Sequence, residues 1–234
     1  MSKTAIITGG TKGIGKSLVK LFSSKGFNIG VCSRNLEELH SLKDEITEAY
    51  GNEVFVMRAD LSERTEVEYF VKYIKEHTKE VDVLVNNAGL YIPGQVHNEK
   101  DGALEEMINT NLYSAYHLTR GFIGDMKKRK KGHVFNMCST ASIMPYVNGG
   151  SYCISKYAML GMTKVLREEM KEFGVRVTAV MPGATLTASW EGTDLPESRF
   201  MDPDDVADAV WNAYEMSDRT VIEEILMRPQ LGDL

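Results

Sequence analysis

Tyr152 and Lys156 stand four residues apart in Ser151-Tyr152-Cys153-Ile154-Ser155-Lys156, and Ser139 lies thirteen residues ahead of the tyrosine. On a helix that interval puts both side chains on one face, one turn apart. Free tyrosine has a pKa of about 10, so a phenol that is to exchange protons near neutrality needs help. An ammonium beside it favours the phenolate, and the pair then suits general acid–base chemistry at an oxygen. A serine hydroxyl delivered by a strand end can donate a hydrogen bond to the substrate oxygen. Tyr-x-x-x-Lys is by itself a common helical accident, so the weight falls on what surrounds it.

A second stretch with chemistry in it opens the chain. Thr4-Ala5-Ile6-Ile7 is a short apolar, β-branched run, as in a buried strand. It leads into Thr8-Gly9-Gly10-Thr11-Lys12-Gly13-Ile14-Gly15, after which Leu18, Val19, Leu21 and Phe22 recur at helical spacing up to Gly26. Strand, glycine-rich turn and helix together aim backbone N–H groups and a helix N-terminus at a phosphate. A side chain at those glycines would block the approach of a pyrophosphate. Dinucleotide binding is the reading favoured over an ordinary tight connection. The spacing is Gly-x-x-x-Gly-x-Gly rather than Gly-x-Gly-x-x-Gly.

The elements that must position these two stretches follow in alternation. Strands are expected at residues 28–32, 54–57, 81–85, 133–137, 175–180 and 223–227. Helices are expected at 36–50 (closed by Gly51), from Ser62 as N-cap to about 78, at 104–126, 151–173 and 203–216. This predicts an α/β fold: one Rossmann-type domain over 1–234, a doubly wound parallel sheet of about seven strands with helices on both faces. A chain of 234 residues, 43% hydrophobic and 26% charged, suits one soluble domain with a substantial core. The net charge of −6 argues against nucleic acid or an anionic membrane as partner. No apolar run approaches the roughly 18 residues of a membrane span. The first strand begins within a few residues, so no signal peptide is expected. Cys32, Cys138 and Cys153 are odd in number and scattered, which fits free thiols and a cytoplasmic protein. The five histidines lack ligand spacing, so no metal site is expected.

Asn86-Asn87-Ala88-Gly89 ends the fourth strand, and Asn109-Thr110-Asn111-Leu112 lies inside the long helix, where asparagine is a poor helix former. The sixth strand runs into Met181-Pro182-Gly183-Ala184-Thr185-Leu186-Thr187. Glycine loop, Asn-Asn-Ala-Gly, helical asparagine, serine and Tyr-x-x-x-Lys, each after its own strand, resemble the short-chain dehydrogenase/reductase family from Lys3 to about Asp205. The resemblance implies an oxidoreductase that moves a hydride between a nicotinamide cofactor and a carbonyl or alcohol substrate. It implies Tyr152 as general acid in reduction and general base in oxidation, with Lys156 binding the nicotinamide ribose and easing proton loss. Ser139 would position the carbonyl and Asn111 complete a proton relay, Asn109 being the alternative register.

For the cofactor, the resemblance assigns Gly9, Thr11, Lys12, Gly13, Ile14 and Gly15 in the loop. It adds Asp60 beside the adenine with Leu61 next to it, Asn87, Ala88 and Gly89 along the fourth strand, Tyr152 and Lys156 of the catalytic set, and Pro182, Gly183, Thr185 and Thr187 near the nicotinamide. An NAD-selective member usually carries an acid after the second strand, whereas this chain has Ser33-Arg34-Asn35 and no acid until Glu37. Bases at Lys12 and Arg34 commonly mark a 2′-phosphate site in the family, and a guanidinium binds phosphate bidentately. NADP(H) is therefore expected.

Residues 184–202 are expected to form a substrate loop; a plain surface loop is the alternative for 188–201. Tyr91, Ala141, Met144, Tyr146, Val147 and Trp190 are expected to line a pocket for a neutral ketone or aldehyde, with a pterin-like carbonyl or 3-oxoacyl thioester also open. Apolar excess on the two long helices, through which family members commonly pair, implies a homodimer or homotetramer. Where many members end in a Gly-Gly turn, this chain has Arg228-Pro229-Gln230-Leu231-Gly232-Asp233-Leu234. A catalytically silent NADP(H)-binding protein is the competing reading; the presence of Ser139, Tyr152 and Lys156 favours the enzyme.

Overall fold

Alternation along the first strand decides the layering. In β1 (Thr4–Thr8) all five residues are buried; Ala5 and Ile7 join one core while Ile6 joins the other. A strand buried on both faces must lie inside a sandwich of helices. The computed structural model describes residues 2–190 and 192–234. It shows that arrangement around one sheet of seven strands in the order β3-β2-β1-β4-β5-β6-β7, every neighbouring pair parallel. The remaining strands are β2 (Asn28–Ser33), β3 (Val54–Arg58), β4 (Val83–Asn86), β5 (Gly132–Met137), β6 (Val175–Pro182) and β7 (Glu224–Met227).

Helices α1 (Gly13–Ser24), α2 (Leu36–Tyr50) and α7 (Pro203–Glu215) cover one face. Leu18, Phe22, Leu39, Ile46, Val206 and Val210 enter the core there. Helices α3 (Arg64–His77) and α5 (Ser114–Arg129) cover the other with Val67, Phe70, Ile74, Leu118 and Phe122. Beside them, α6 (Gly150–Met170) packs Met159 and Leu160 against Ala179 and Met181. Strand order reverses between β1 and β4, so their C-terminal ends part there and leave the crevice where such sheets bind ligands. Among the described residues no helix is long and apolar enough to cross a membrane. Nor do three or more His, Cys, Asp or Glu side chains gather there as a metal site would need. All three cysteines are buried free thiols.

Local chemistry accounts for the element ends. Asn35 caps α2 by accepting from the N–H groups of Glu37 and Glu38, and Gly51 closes the helix at φ 72°. Three expectations need correction. β4 begins at Val83 and not at 81. Ser62 does not cap α3: its N–H and hydroxyl both donate to Asp60 Oδ1 (3.0 and 2.8 Å), and the cap falls on Glu63. The expected helix over 104–126 is α4 (Ala103–Ile108) joined to α5 by one widened π turn at Asn109–Tyr113. There Ser114 N–H reaches back five residues to Asn109 O. Such turns concentrate at functional sites.

Candidate active site

The glycine loop leaves β1 at the strand-order reversal. Gly13 has φ 51°, and a side chain there would run into Thr187. At Gly15 a Cβ would come within 2.2 Å of Gly9 O, so the loop folds onto the start of α1 only because that atom is missing. The far side is clamped by β4. Asn87 Nδ2 donates to Thr8 O (2.8 Å) and Gly9 O (3.2 Å), while Thr8 Oγ1 accepts from the N–H groups of Asn87 and Ala88 (both 2.9 Å). Asn86 instead ties β4 to β5 and α5, through Asn136 Oδ1 (2.8 Å) and Thr119 Oγ1 (3.1 Å). No side chain caps α1 at Lys12. The helix therefore presents uncapped N–H groups beside a cleft whose walls admit no Cβ, a cradle that fits a pyrophosphate.

The catalytic candidates converge further in. Lys156 is buried, donates to Met137 O (2.7 Å) and holds its Nζ 5.7 Å from the Tyr152 ring centroid. Ser139, just beyond β5, accepts from Ala141 N–H (3.1 Å), while its own N–H donates to Ser142 Oγ (3.1 Å). That capping box fixes the hydroxyl oxygen as an acceptor and leaves its proton for another partner. Asn111 lies in the widened turn, 1% exposed. Its Oδ1 accepts from Leu90 N–H (2.6 Å), and its Nδ2 donates to Leu90 O and Ser155 Oγ (both 2.9 Å). Ser155 in turn donates to Tyr152 O (2.7 Å), so the turn is tied directly to the helix carrying the tyrosine. Lys156 Nζ and Asn111 Oδ1 lie 3.6 and 3.4 Å from where a Cβ on Gly89 would stand.

One cavity of about 520 Å³ joins these parts. Its walls include Gly9, Lys12, Gly13, Ile14, Gly15, Asn87, Ala88, Gly89, Ser139, Tyr152, Lys156, Pro182, Gly183, Thr185 and Thr187. Thr11, Arg34, Asp60, Leu61 and Asn111 are not in that wall. Asn111 is buried behind it, and Leu61 packs into the core with Phe70. Of the expected substrate residues, Tyr91, Met144, Tyr146 and Trp190 line the cavity. Ala141 is buried instead, and Val147, 78% exposed, lines a neighbouring depression with Val96 and Tyr157. The loop after β6 folds on itself: Leu186 N–H donates to Met201 O (2.9 Å), and the Trp190 and Phe200 rings lie 5.0 Å apart.

At the outer end, Arg34 is exposed at the β2–α2 turn. Asp60 feels its charge. Burial opposes the ionised carboxyl, but the two bonds from Ser62 and the charges of Arg34 and Arg58 outweigh it and hold Asp60 below its usual range. Lys12 Nζ contacts Glu38 Oε1 at 2.9 Å.

Three acids with roles at this site escaped the sequence pattern. Glu38 comes from the first turn of α2. Glu99, from the segment before α4, accepts from Ser151 N–H (3.3 Å) and from the Ser151 hydroxyl. It thereby caps α6, whose own Gly149 supplies no side chain, right beside Tyr152. Asp233 lines the cavity from the C-terminal segment; Oδ2 pairs with Arg228 Nε (2.8 Å), and Oδ1, near Gly183, is buried with no hydrogen-bond partner among the described residues. Only the departure of the tail from a Gly-Gly ending hinted at this.

With this geometry in view, the comparisons with known proteins fall into place. The pattern describing short chain dehydrogenases matches residues 3–197. The chain belongs to the short-chain dehydrogenase family. It is an oxidoreductase of that family, whose members work with a nicotinamide cofactor. A sepiapterin reductase of Chlorobaculum tepidum is 31% identical over 100% of this chain and 99% of its own. An NADP-dependent 3-hydroxy acid dehydrogenase of Salmonella typhimurium is 29% identical, covering 96% and 94% of the two chains. Among solved structures, a metagenomic short-chain oxidoreductase in complex with NADP superimposes with a TM-score of 0.85 at 31% identity, covering 97% of each chain.

Proposed function

We propose that this protein is an NADPH-dependent carbonyl reductase that uses Tyr152 as its proton donor. The observation carrying the reading is the meeting of Ser139, Tyr152 and Lys156 in the one cavity that also holds the glycine loop. When bound, the nicotinamide supplies the hydride that reaches the carbonyl carbon. Ser139 donates its free hydroxyl proton to the carbonyl oxygen and orients it. Tyr152 transfers its phenolic proton to that oxygen as charge builds there, giving the alcohol. Lys156, fixed by Met137 O, stabilises the phenolate left behind and offers its remaining donors to the ribose. Both N–H donors of the Asn111 amide are committed to Leu90 and Ser155. A proton relay at this residue therefore has only its oxygen atoms to use, not its amide N–H groups. The side chain serves as the clamp.

The cofactor choice rests on Lys12 and Arg34 and on the NADP recorded for relatives of similar fold. Asp233 bears on the substrate. Its carboxylate, paired with Arg228, stands in the cavity wall with Oδ1 buried, so the wall is acidic there rather than open to an anion. A substrate bringing a carboxylate is repelled. This favours a neutral carbonyl compound, in line with the sepiapterin reductase relative, over a 3-hydroxy acid. NADPH consumption should be measured with neutral heterocyclic ketones, plain ketones and 3-oxo acids. Turnover should be highest in the first class; failure of every carbonyl, or a preference for the acids, overturns the assignment.

Tyr113 and Tyr116 on the widened turn and α5, and Ile154, Tyr157 and Val165 on α6, are exposed. They support pairing of two copies through these helices. Light scattering at micromolar concentration should then give about twice 26.2 kDa.

A further inference from the structure

We propose that Glu38 is a specificity-determining residue of the cofactor site, a counter-anion that occupies Lys12 and must yield it before a 2′-phosphate can be held. The proposal rests on the reading of Lys12 and Arg34 as the NADP(H)-selective pair. Glu38 sits in the first turn of α2, where Asn35 caps the helix by accepting from the N–H groups of Glu37 and Glu38. The same asparagine returns an Nδ2 donor to Glu38 Oε1 at 3.1 Å. From that anchored position the carboxylate crosses to the glycine loop and meets Lys12 Nζ at 2.9 Å. The loop and the β2–α2 turn are the two walls between which Lys12 and Arg34 stand. Glu38 therefore ties the helix that follows the Arg34 turn to the loop that carries Lys12.

The carboxyl is held below its ordinary range, first by the hydrogen bond from Lys12, with Thr11 and Asn35 adding donors against the cost of burial. It is thus an anion at neutral pH with three donors around it, two of them from the loop that binds the cofactor. A 2′-phosphate carries close to two negative charges and competes for the same ammonium. Two consequences follow. Part of the attraction Lys12 offers is already spent on Glu38, so NADPH binds more weakly than the two bases alone allow. A cofactor without the 2′-phosphate meets the pair intact and gains or loses little. Glu38 therefore narrows the gap between NADPH and NADH without closing it.

The test is a binding titration, read without turnover, using NADPH, NADH and adenosine 2′,5′-bisphosphate on wild type, Glu38→Gln, Lys12→Ala and the double variant. Glu38→Gln keeps shape and the Asn35 cap while removing charge. NADPH and the bisphosphate should bind roughly two- to tenfold tighter, the size expected for one partly exposed charge interaction, with NADH nearly unchanged. In the Lys12→Ala background that gain should vanish, because there is no ammonium left to release. Unchanged or weaker NADPH binding in Glu38→Gln overturns the proposal, as does an equal shift in NADH or a gain that survives Lys12→Ala. If wild type binds NADPH no better than NADH and ignores the bisphosphate, the cofactor reading falls and this proposal with it. A clear wild-type preference with an inert Glu38→Gln removes only the role of Glu38.

Discussion

At the inner end of the cavity, Lys156 and Asn111 are 5% and 1% exposed and every bond they make runs to backbone or to another buried group. At the outer end, the Lys12 side chain is 66% exposed and Arg34 stands at the surface. The energies differ accordingly. Leaving a buried polar partner unsatisfied costs about 1–3 kcal/mol, whereas an exposed ion pair contributes about 0.2–1 kcal/mol. The inner end is held by position: the widened turn, Ser155 and Glu99 fix the helix that carries Tyr152. The outer end works by charge, and charges on flexible stems can be rebalanced by one neighbouring carboxylate without touching the fold. On the function proposed above, chemistry belongs to the inner end and cofactor choice to the outer one, and variants at the two ends should fail in different ways.

The largest effect should come from removing the proton donor at the inner end. Tyr152→Phe keeps the ring that lies 5.0 Å from the Tyr91 ring and deletes only the hydroxyl. Turnover should fall by roughly 10²–10⁴-fold, the usual contribution of general acid catalysis. NADPH affinity, set mainly by the loop and the outer bases, should stay within a few-fold. Single-turnover kinetics beside a binding titration measures the two separately. A variant that keeps near wild-type turnover, or that loses cofactor binding together with turnover, breaks the separation.

How much of this could be seen in the sequence follows the same division between local and distant. The glycine loop, Asn-Asn-Ala-Gly and Tyr-x-x-x-Lys are strand-end or single-helix patterns, and each lies at the sheet position its spacing implied. The bounds of α2 were legible because Asn35 and Gly51 mark both ends by local chemistry. β4 was placed two residues early, since Val81 is buried yet precedes the ladder that begins with Ala5 opposite Val83. Asn111 was visible as an awkward helical residue; that the helix widens around it was not, and the partner that holds its side chain is Leu90, 21 residues away. Glu99 and Ser151 are 52 residues apart, and Asp233 reaches its place only through the final turn of the chain. Long-range acids of this kind have no periodicity and no motif. They become legible only once the sheet brings their elements together.

A smaller, more selective effect should come from the outer end. Arg34 can offer a phosphate two parallel N–H donors, and each charge-assisted bond contributes about 1.5–3 kcal/mol. Because Arg34 is exposed, the lower figure is the better guide, and about 1.4 kcal/mol corresponds to tenfold in affinity. Arg34→Ala should therefore weaken NADPH by roughly ten- to a hundredfold and NADH by far less, with the hydride and proton steps intact once the cofactor is saturating. The same titrations at two salt concentrations sharpen the point. Exposed charges lie within reach of screening, with a Debye length of about 10 Å at 0.1 M and about 3 Å at 1 M. Salt should erode wild-type NADPH binding and should erode it less in Arg34→Ala, while turnover at saturation barely moves. Equal wild-type affinities for the two cofactors, or a variant that loses both alike, would place the selectivity elsewhere. A saturated turnover that fell with salt as steeply as binding would mean the two ends are coupled, and that the buried clamp around Asn111 does not insulate the chemistry from the surface.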